Sequence, residues 1–156
     1  VFYNGVLQQS IALPNHTDTK WLMMTWESGR QGLIESYLPP CNADLSAYRY
    51  LSFRATRLSC SGPDCELPIN LLVNIEDTSG HSAGADLRTD FYAVLPAPPV
   101  FAPPMYTRSQ FSGVRIPLSH FTANGSGVDL RNISRIRIRT DRDFDAMALD
   151  DIEFGN

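Results

Sequence analysis

The sequence predicts an all-β protein, a β-sandwich of the jelly-roll kind, on three observations. Short apolar runs recur along the chain, bounded by turn residues, and several alternate apolar and polar side chains with the period of two that marks a half-buried strand. Leu71, Val73 and Ile75 alternate with Asn70, Leu72, Asn74 and Glu76. Ile136 and Ile138 alternate with Arg135, Arg137 and Arg139. Helical periodicity is almost absent, and no internal repeat is visible. Eight to ten short strands at such spacing fit two packed sheets better than a closed barrel, because the intervening loops are so unequal.

The elements follow in order. Val1 to Leu13 offers a first short strand with a turn at Asn4-Gly5. Trp21 to Trp26 is a second, and Gly32 to Leu38 is expected to pair with it as a hairpin across Ser28-Gly29. Pro39-Pro40 ends that hairpin. Asp44 caps a single turn, after which Leu51, Phe53 and Ala55 alternate with Tyr50, Ser52 and Arg54. Ile69 to Glu76 repeats the pattern, and Asp77 to Gly80 closes it as a turn. Asp90 to Leu95 reads as another strand. Leu95 to Gln110 holds five of the eleven prolines, a loop suited either to contact with a neighbouring domain or to a rigid spacer role. Val114, Ile116 and Leu118 form a strand that Pro117 assigns to an edge or an end. Asp129 to Asn132 is a short helical turn. Ile133 to Phe154 then reads as a strand pair joined by the charged turn Thr140 to Asp145.

Composition sets outer limits. A chain of 156 residues, 43% hydrophobic and 19% charged, is long enough to bury one core and is not biased toward disorder. Residues 1–156 are therefore read as one module, and Val1 in place of Met suggests a piece of a longer polypeptide. A net charge of −4 supplies no basic field for nucleic acid, and no apolar run approaches the ~20 residues of a membrane span. Cys60 and Cys65 bracket Ser-Gly-Pro-Asp, a turn that can bring their sulfurs together. A bridge there is preferred over free thiols, would add about 2 kcal/mol in the chain-entropy model, and would favour an extracellular, secreted setting. Cys41 is then unpaired and is read as a small buried hydrophobe.

The residues that carry chemistry point to binding rather than catalysis. His16, His81 and His120 lie in separate segments, and no nucleophile elbow, zinc-protease helix or phosphate loop is present. If the aliphatic side chains fill the space between the sheets, Tyr50, Arg54, Asn70, Asn74, Glu76, Tyr92, Arg115, Arg137 and Arg139 all lie on outer faces. Aromatic rings for stacking on sugar C–H surfaces, with planar polar groups for hydroxyls, are what a polar saccharide requires. Trp21 and Trp26 face opposite ways in a regular strand, one toward the core, and Trp26 is taken as the candidate platform. Solvated sheet faces would show the same residue types.

Three runs resemble a known group. They are Leu45 to Ala55, with its Leu-Ser-x-Tyr-x-x-Leu-x-Phe cadence; Phe111 to Phe121, Phe-Ser-Gly-Val-Arg-Ile-Pro-Leu-Ser-His-Phe; and Asp129 to Ile138 leading to Leu149-Asp-Asp-Ile-Glu-Phe. Together they look like the galactose-binding-like jelly roll of several carbohydrate-binding module families, and the complex I intermediate-associated protein 30 type shows a similar cadence. The resemblance implies a non-catalytic module that targets a secreted enzyme or adhesin to a poly- or oligosaccharide; the alternative is a protein-interaction or assembly module on the same scaffold. It also implies a structural calcium held by an acidic opening and an Asp of the closing strand. Asp150 and Asp151 match the closing half, whereas Tyr3 and Asn4 stand where carboxylates are expected. Calcium needs six to eight oxygen ligands, and strand alternation would send Asp150 and Asp151 to opposite faces, so that only one serves an ion.

Overall fold

The structure is a computed structural model that describes residues 2–3, 6–9, 22–25, 31–59, 70–90, 111–143 and 146–156. Its strands form two five-stranded antiparallel sheets. The first holds β1 (Phe2–Tyr3), β4 (Gln31–Tyr37), β9 (Ile133–Asp143), β6 (Leu71–Asp77) and β7 (Ser82–Asp86), in that spatial order. The second holds β2 (Val6–Gln9), β3 (Leu22–Thr25), β10 (Ala146–Gly155), β5 (Tyr50–Ser59) and β8 (Ser112–Pro117). The all-β sandwich expected from the sequence is present.

Alternation decides what each sheet buries. Leu71, Val73 and Ile75 of β6 are fully buried, and Ile34, Ile136 and Ile138 join them from β4 and β9. Leu51, Phe53, Val114, Ile116, Met147 and Leu149 meet them from the second sheet. Burying side chains of this size stabilises by about 1.5–3 kcal/mol each, and removing one such as Phe53 leaves a cavity that neighbours cannot fill. One open side of the sandwich is closed by α1 (Leu118–Thr122), which buries Leu118 and Phe121.

Pairing departs from expectation in two places. Ile133 to Phe154 is not a paired hairpin: β9 lies at the centre of the first sheet and β10 at the centre of the second. Likewise β3 pairs with β2 and β10, whereas β4 pairs with β1 and β9, so no hairpin joins them. In each case the chain crosses between sheets. The alternation specifies which side of a strand is buried, and both sheets bury one side.

Smaller corrections have local causes. Ser82–Asp86 is a strand that its small residues conceal; it folds back on β6 through a turn whose Gly80 has φ 88°. Leu118 opens a helix instead of extending β8, because Pro117, with φ −60°, ends the edge strand. Asp90 sits in a turn, and residues 91–95 of that expected strand lie outside the described residues, as do Asn4, Gly5 and the 95–110 loop. Cys41 is exposed rather than buried, and Asn70 is buried rather than on an outer face, held by Asp86 and the Arg88 amide. Cys60 and Cys65 lie outside the described residues. Asp129 does cap the expected helical turn, accepting from the Arg131 amide.

Asp77 ties the ends of the first sheet together. Its buried carboxylate accepts from the amides of Ser79, His81 and Asp129 at 2.9, 2.9 and 3.1 Å, and His81 Nδ1 lies 3.1 Å away. Burial pushes its pKa up, but these hydrogen bonds outweigh burial and hold it below the usual aspartate range. Gly127, at φ 73°, favours glycine, because a side chain there would be strained and its Cβ would lie 3.3 Å from the His81 ring.

Candidate functional site

The register of the first sheet arranges its outward side chains in rows. Tyr37, Arg135, Glu76 and Ser82 form one; Glu35, Arg137, Asn74 and Gly84 the next; Leu33, Arg139, Leu72 and Asp86 the third. Three arginines on one central strand would repel one another, so the flanking strands supply carboxylates. Arg135 donates to Glu35 Oε1 at 3.0 Å and to both Glu76 oxygens at 2.6 Å. Arg137 Nε donates to Glu35 Oε1 at 2.6 Å, and the Tyr37 hydroxyl donates to Glu35 Oε2 at 3.2 Å. The Arg137 hydrogen bond holds the Glu35 carboxyl below the usual glutamate range against the opposing effect of burial, with Tyr37 and both arginines adding to it. The Arg135 pKa is raised, first by its bond to Glu76.

The ladder does not reach the third row. Among the described residues Arg139 forms no ion pair and is exposed, and Asn74 Oδ1 is buried without a hydrogen-bond partner. Opposite Asn74 stands Gly84, whose missing side chain opens a depression of about 440 Å³. Leu72, Asn74, Gly84, Asp86, Arg137 and Arg139 line it. An apolar floor with a few convergent polar groups, at a volume within the usual ~300–1,000 Å³, is the general form of a small-molecule site.

The second sheet carries the other candidates. Arg54 Nη2 contacts Asp150 at 2.6 Å and Asp151 at 2.8 Å. The two carboxylates therefore converge, contrary to simple alternation. A bulge in β10 between Asp150 and Glu153, with Asp151 at φ 51°, turns the second carboxylate back onto the face of the first. Nearby, the Arg115 guanidinium lies 3.9 Å from the Tyr50 ring centroid, a cation–π arrangement. What surrounds Asp150 and Asp151 is thus an arginine. Among the described residues no group of three or more His, Cys, Asp and Glu side chains is arranged to hold a metal ion.

The expected ligand residues consequently divide. Asn74, Glu76, Arg137 and Arg139 share the first sheet's face, while Tyr50, Arg54 and Arg115 share the second sheet's face. Trp26 and Tyr92 lie outside the described residues. Glu35, Gly84 and Asp86 were not singled out in the sequence. The parity of Glu35 with Tyr37 could have found the first, but nothing marks Gly84 until its strand is known to lie beside Asn74.

Comparison with solved structures decides the fold type. The family 30 carbohydrate-binding module of a cellulosomal cellulase of Clostridium thermocellum matches with a TM-score of 0.66 and 12% identity, over 99% of this chain and 86% of that one. The chain shares the β-sandwich fold of that module. Another family 30 structure matches at TM-score 0.66 and 13% identity, over 98% of this chain and 76% of that one. The family 11 module from Clostridium thermocellum, solved with a β-1,3-1,4-mixed-linked tetrasaccharide, matches at TM-score 0.58 and 12% identity, covering 99% and 86%. At such identities the likeness is one of fold. No protein-family model matches the sequence, and no curated protein does either. Among the described residues, no helix is long and apolar enough to cross a membrane.

Proposed function

We propose that the chain is a non-catalytic glycan-binding module, an accessory part of a secreted enzyme or adhesin, and that it holds a saccharide on the outer face of its first sheet. The observation that carries this reading is the depression between Asn74 and Gly84, with an acceptor on its wall and the guanidinium of Arg139 at its edge that have no hydrogen-bond or ion-pair partner, respectively, among the described residues. A sugar hydroxyl both donates and accepts. It can donate to Asn74 Oδ1 and accept from Arg139, while Leu72 offers an apolar surface to ring C–H groups.

The ladder beside the depression contributes by staying still. Glu35 and Glu76 hold Arg135 and Arg137 in place before any ligand arrives, so less side-chain entropy is lost on binding. No bond is made or broken in this process. The carboxylates nearest the depression are occupied: Glu35 and Glu76 by arginines, and Asp86 by Asn70 and the Thr89 amide.

Affinity electrophoresis against a panel of soluble polysaccharides, followed by calorimetry on the retarding one, tests the proposal. Asn74→Ala and Arg139→Ala are each expected to weaken binding roughly tenfold or more with an unchanged melting midpoint. Retention that neither substitution alters would overturn the assignment of the face. Failure of every polysaccharide to retard the protein would overturn the function.

A further inference from the structure

We propose that the outer face of the second sheet carries a second, independent saccharide site, which takes a neutral sugar residue through a pair of adjacent hydroxyls. The register across β10, β5 and β8 sets Asp150, Arg54 and Gly113 in one row and Glu153, Ser52 and Arg115 in the next. The two arginines thus occupy one diagonal of a block whose other diagonal holds Ser52 and Gly113. Small residues between large ones leave an open trough of about 600 Å³. A Cβ built on Gly113 would meet nothing within 4 Å, so the space is real at the floor of the trough.

Both guanidiniums are held before a ligand arrives. Arg54 is gripped by Asp150 and Asp151, and Arg115 lies over the Tyr50 ring while donating to the Asn156 carbonyl at 3.4 Å. Arg54 is 43% exposed and Arg115 is exposed, and among the described residues the buried Arg54 Nε has no partner. Asp151, with a side chain 55% exposed, and exposed Glu153 supply acceptors to the same trough. The grip has a conformational cost. A non-glycine residue at φ 51° inside a strand is strained, and such strain is retained where the surroundings over-determine it, which is commonly at binding sites.

The charges select the ligand class. Asp150, Asp151 and Glu153 face Arg54 and Arg115, so an anionic group gains no net field and meets exposed carboxylates. A cation meets the two arginines. A vicinal diol suits the mixture, because each hydroxyl can accept from a guanidinium and donate to a carboxylate. Opposed sheets stack about 10 Å apart, so one sugar residue cannot fill both this trough and the depression at Asn74. The module would be bivalent, and two weak contacts to one polysaccharide would reinforce each other.

Titration of the isotopically labelled protein by amide NMR tests this, with the mixed-linked β-1,3-1,4-glucan tetrasaccharide and gluco-, xylo- and manno-oligosaccharides of the same length, each to millimolar concentration. The amides of Ser52, Gly113 and Arg115 are expected to shift saturably with at least one probe. Gly113→Val, which adds side-chain volume where a Cβ meets nothing within 4 Å, and Arg115→Ala should each weaken that event roughly tenfold or more while shifts at Asn74 and Gly84 persist. The proposal is overturned if those three amides respond to no probe, or if their response keeps its affinity in both variants. Shifts confined to the second sheet would instead support this site and refute the one at Asn74.

Discussion

On the first sheet, Arg135 and Arg137 share Glu35 and Glu76, so four side chains from three strands form one connected ladder. On the second, one arginine is clasped by two carboxylates from a single strand, and a bulge is needed to bring the second of them round. The ladder arises from regular alternation alone, since every member lies on the same side of a flat register. The clasp exists because alternation is broken. Regular faces therefore lend themselves to rigid support, and irregular ones to an aimed side chain.

The comparison can be broken by removing each central arginine. Arg135→Ala leaves buried Glu35 and half-buried Glu76 with one arginine between them, and should cost about 2 kcal/mol in urea unfolding, below the 3–5 typical of a fully buried pair. Arg54 is 43% exposed, so screening by solvent reduces its pair with Asp150, and Arg54→Ala should cost about 1 kcal/mol. Equal costs would mean that the ladder does not act as a network.

Acid should act on the ladder through Glu35. Its pKa is lowered in the folded state, so the stability it contributes is fully present above the ordinary glutamate range and is lost as pH falls through that range and below it. Asp77, also lowered, acts in the same direction from a slightly more acidic starting point. Stability measured against pH should show a shallower acid limb in Glu35→Gln than in the parent protein. An unchanged limb would remove Glu35 from the account.

Smaller effects sharpen the contrast. Asp151→Gly removes the strain of a positive φ at the loss of an exposed ion pair worth little, and should raise stability by about 0.5 kcal/mol. Asp151→Val should lower it by about 1 kcal/mol or more, because a β-branched residue is an outlier there. If both substitutions behave alike, the bulge has relaxed and the clasp is not strained. Arg139→Ala should change stability by less than about 0.5 kcal/mol, in keeping with an exposed side chain that forms no ion pair among the described residues.

The strands with large apolar residues on a strict period of two were legible in the sequence: the faces of β5, β6 and β9 are as Leu51, Phe53, Val73, Ile75, Ile136 and Ile138 indicate. Ser82 to Asp86 was not, because Ala83 and Ala85 bury too little to mark a strand and its identity comes from lying against β6. The candidate site divides in the same way. Asn74, Arg137 and Arg139 are readable as outward residues, but the depression among them needs Gly84, which belongs to the concealed strand. Asp150 and Asp151 were visible as a carboxylate pair, while their convergence on Arg54 depends on a bulge that alternation does not foresee.

The sequence by itself thus determined the fold class and the inward or outward sense of β5, β6 and β9, since both follow from local periodicity against a core. Only the tertiary structure decided which strands are neighbours, that Ile133 to Phe154 spans both sheets, and how the polar residues sort onto two opposed faces. Pairing is a long-range matter. Burial rewards any partner that covers the apolar side, and the partner is chosen by the crossings of the whole chain.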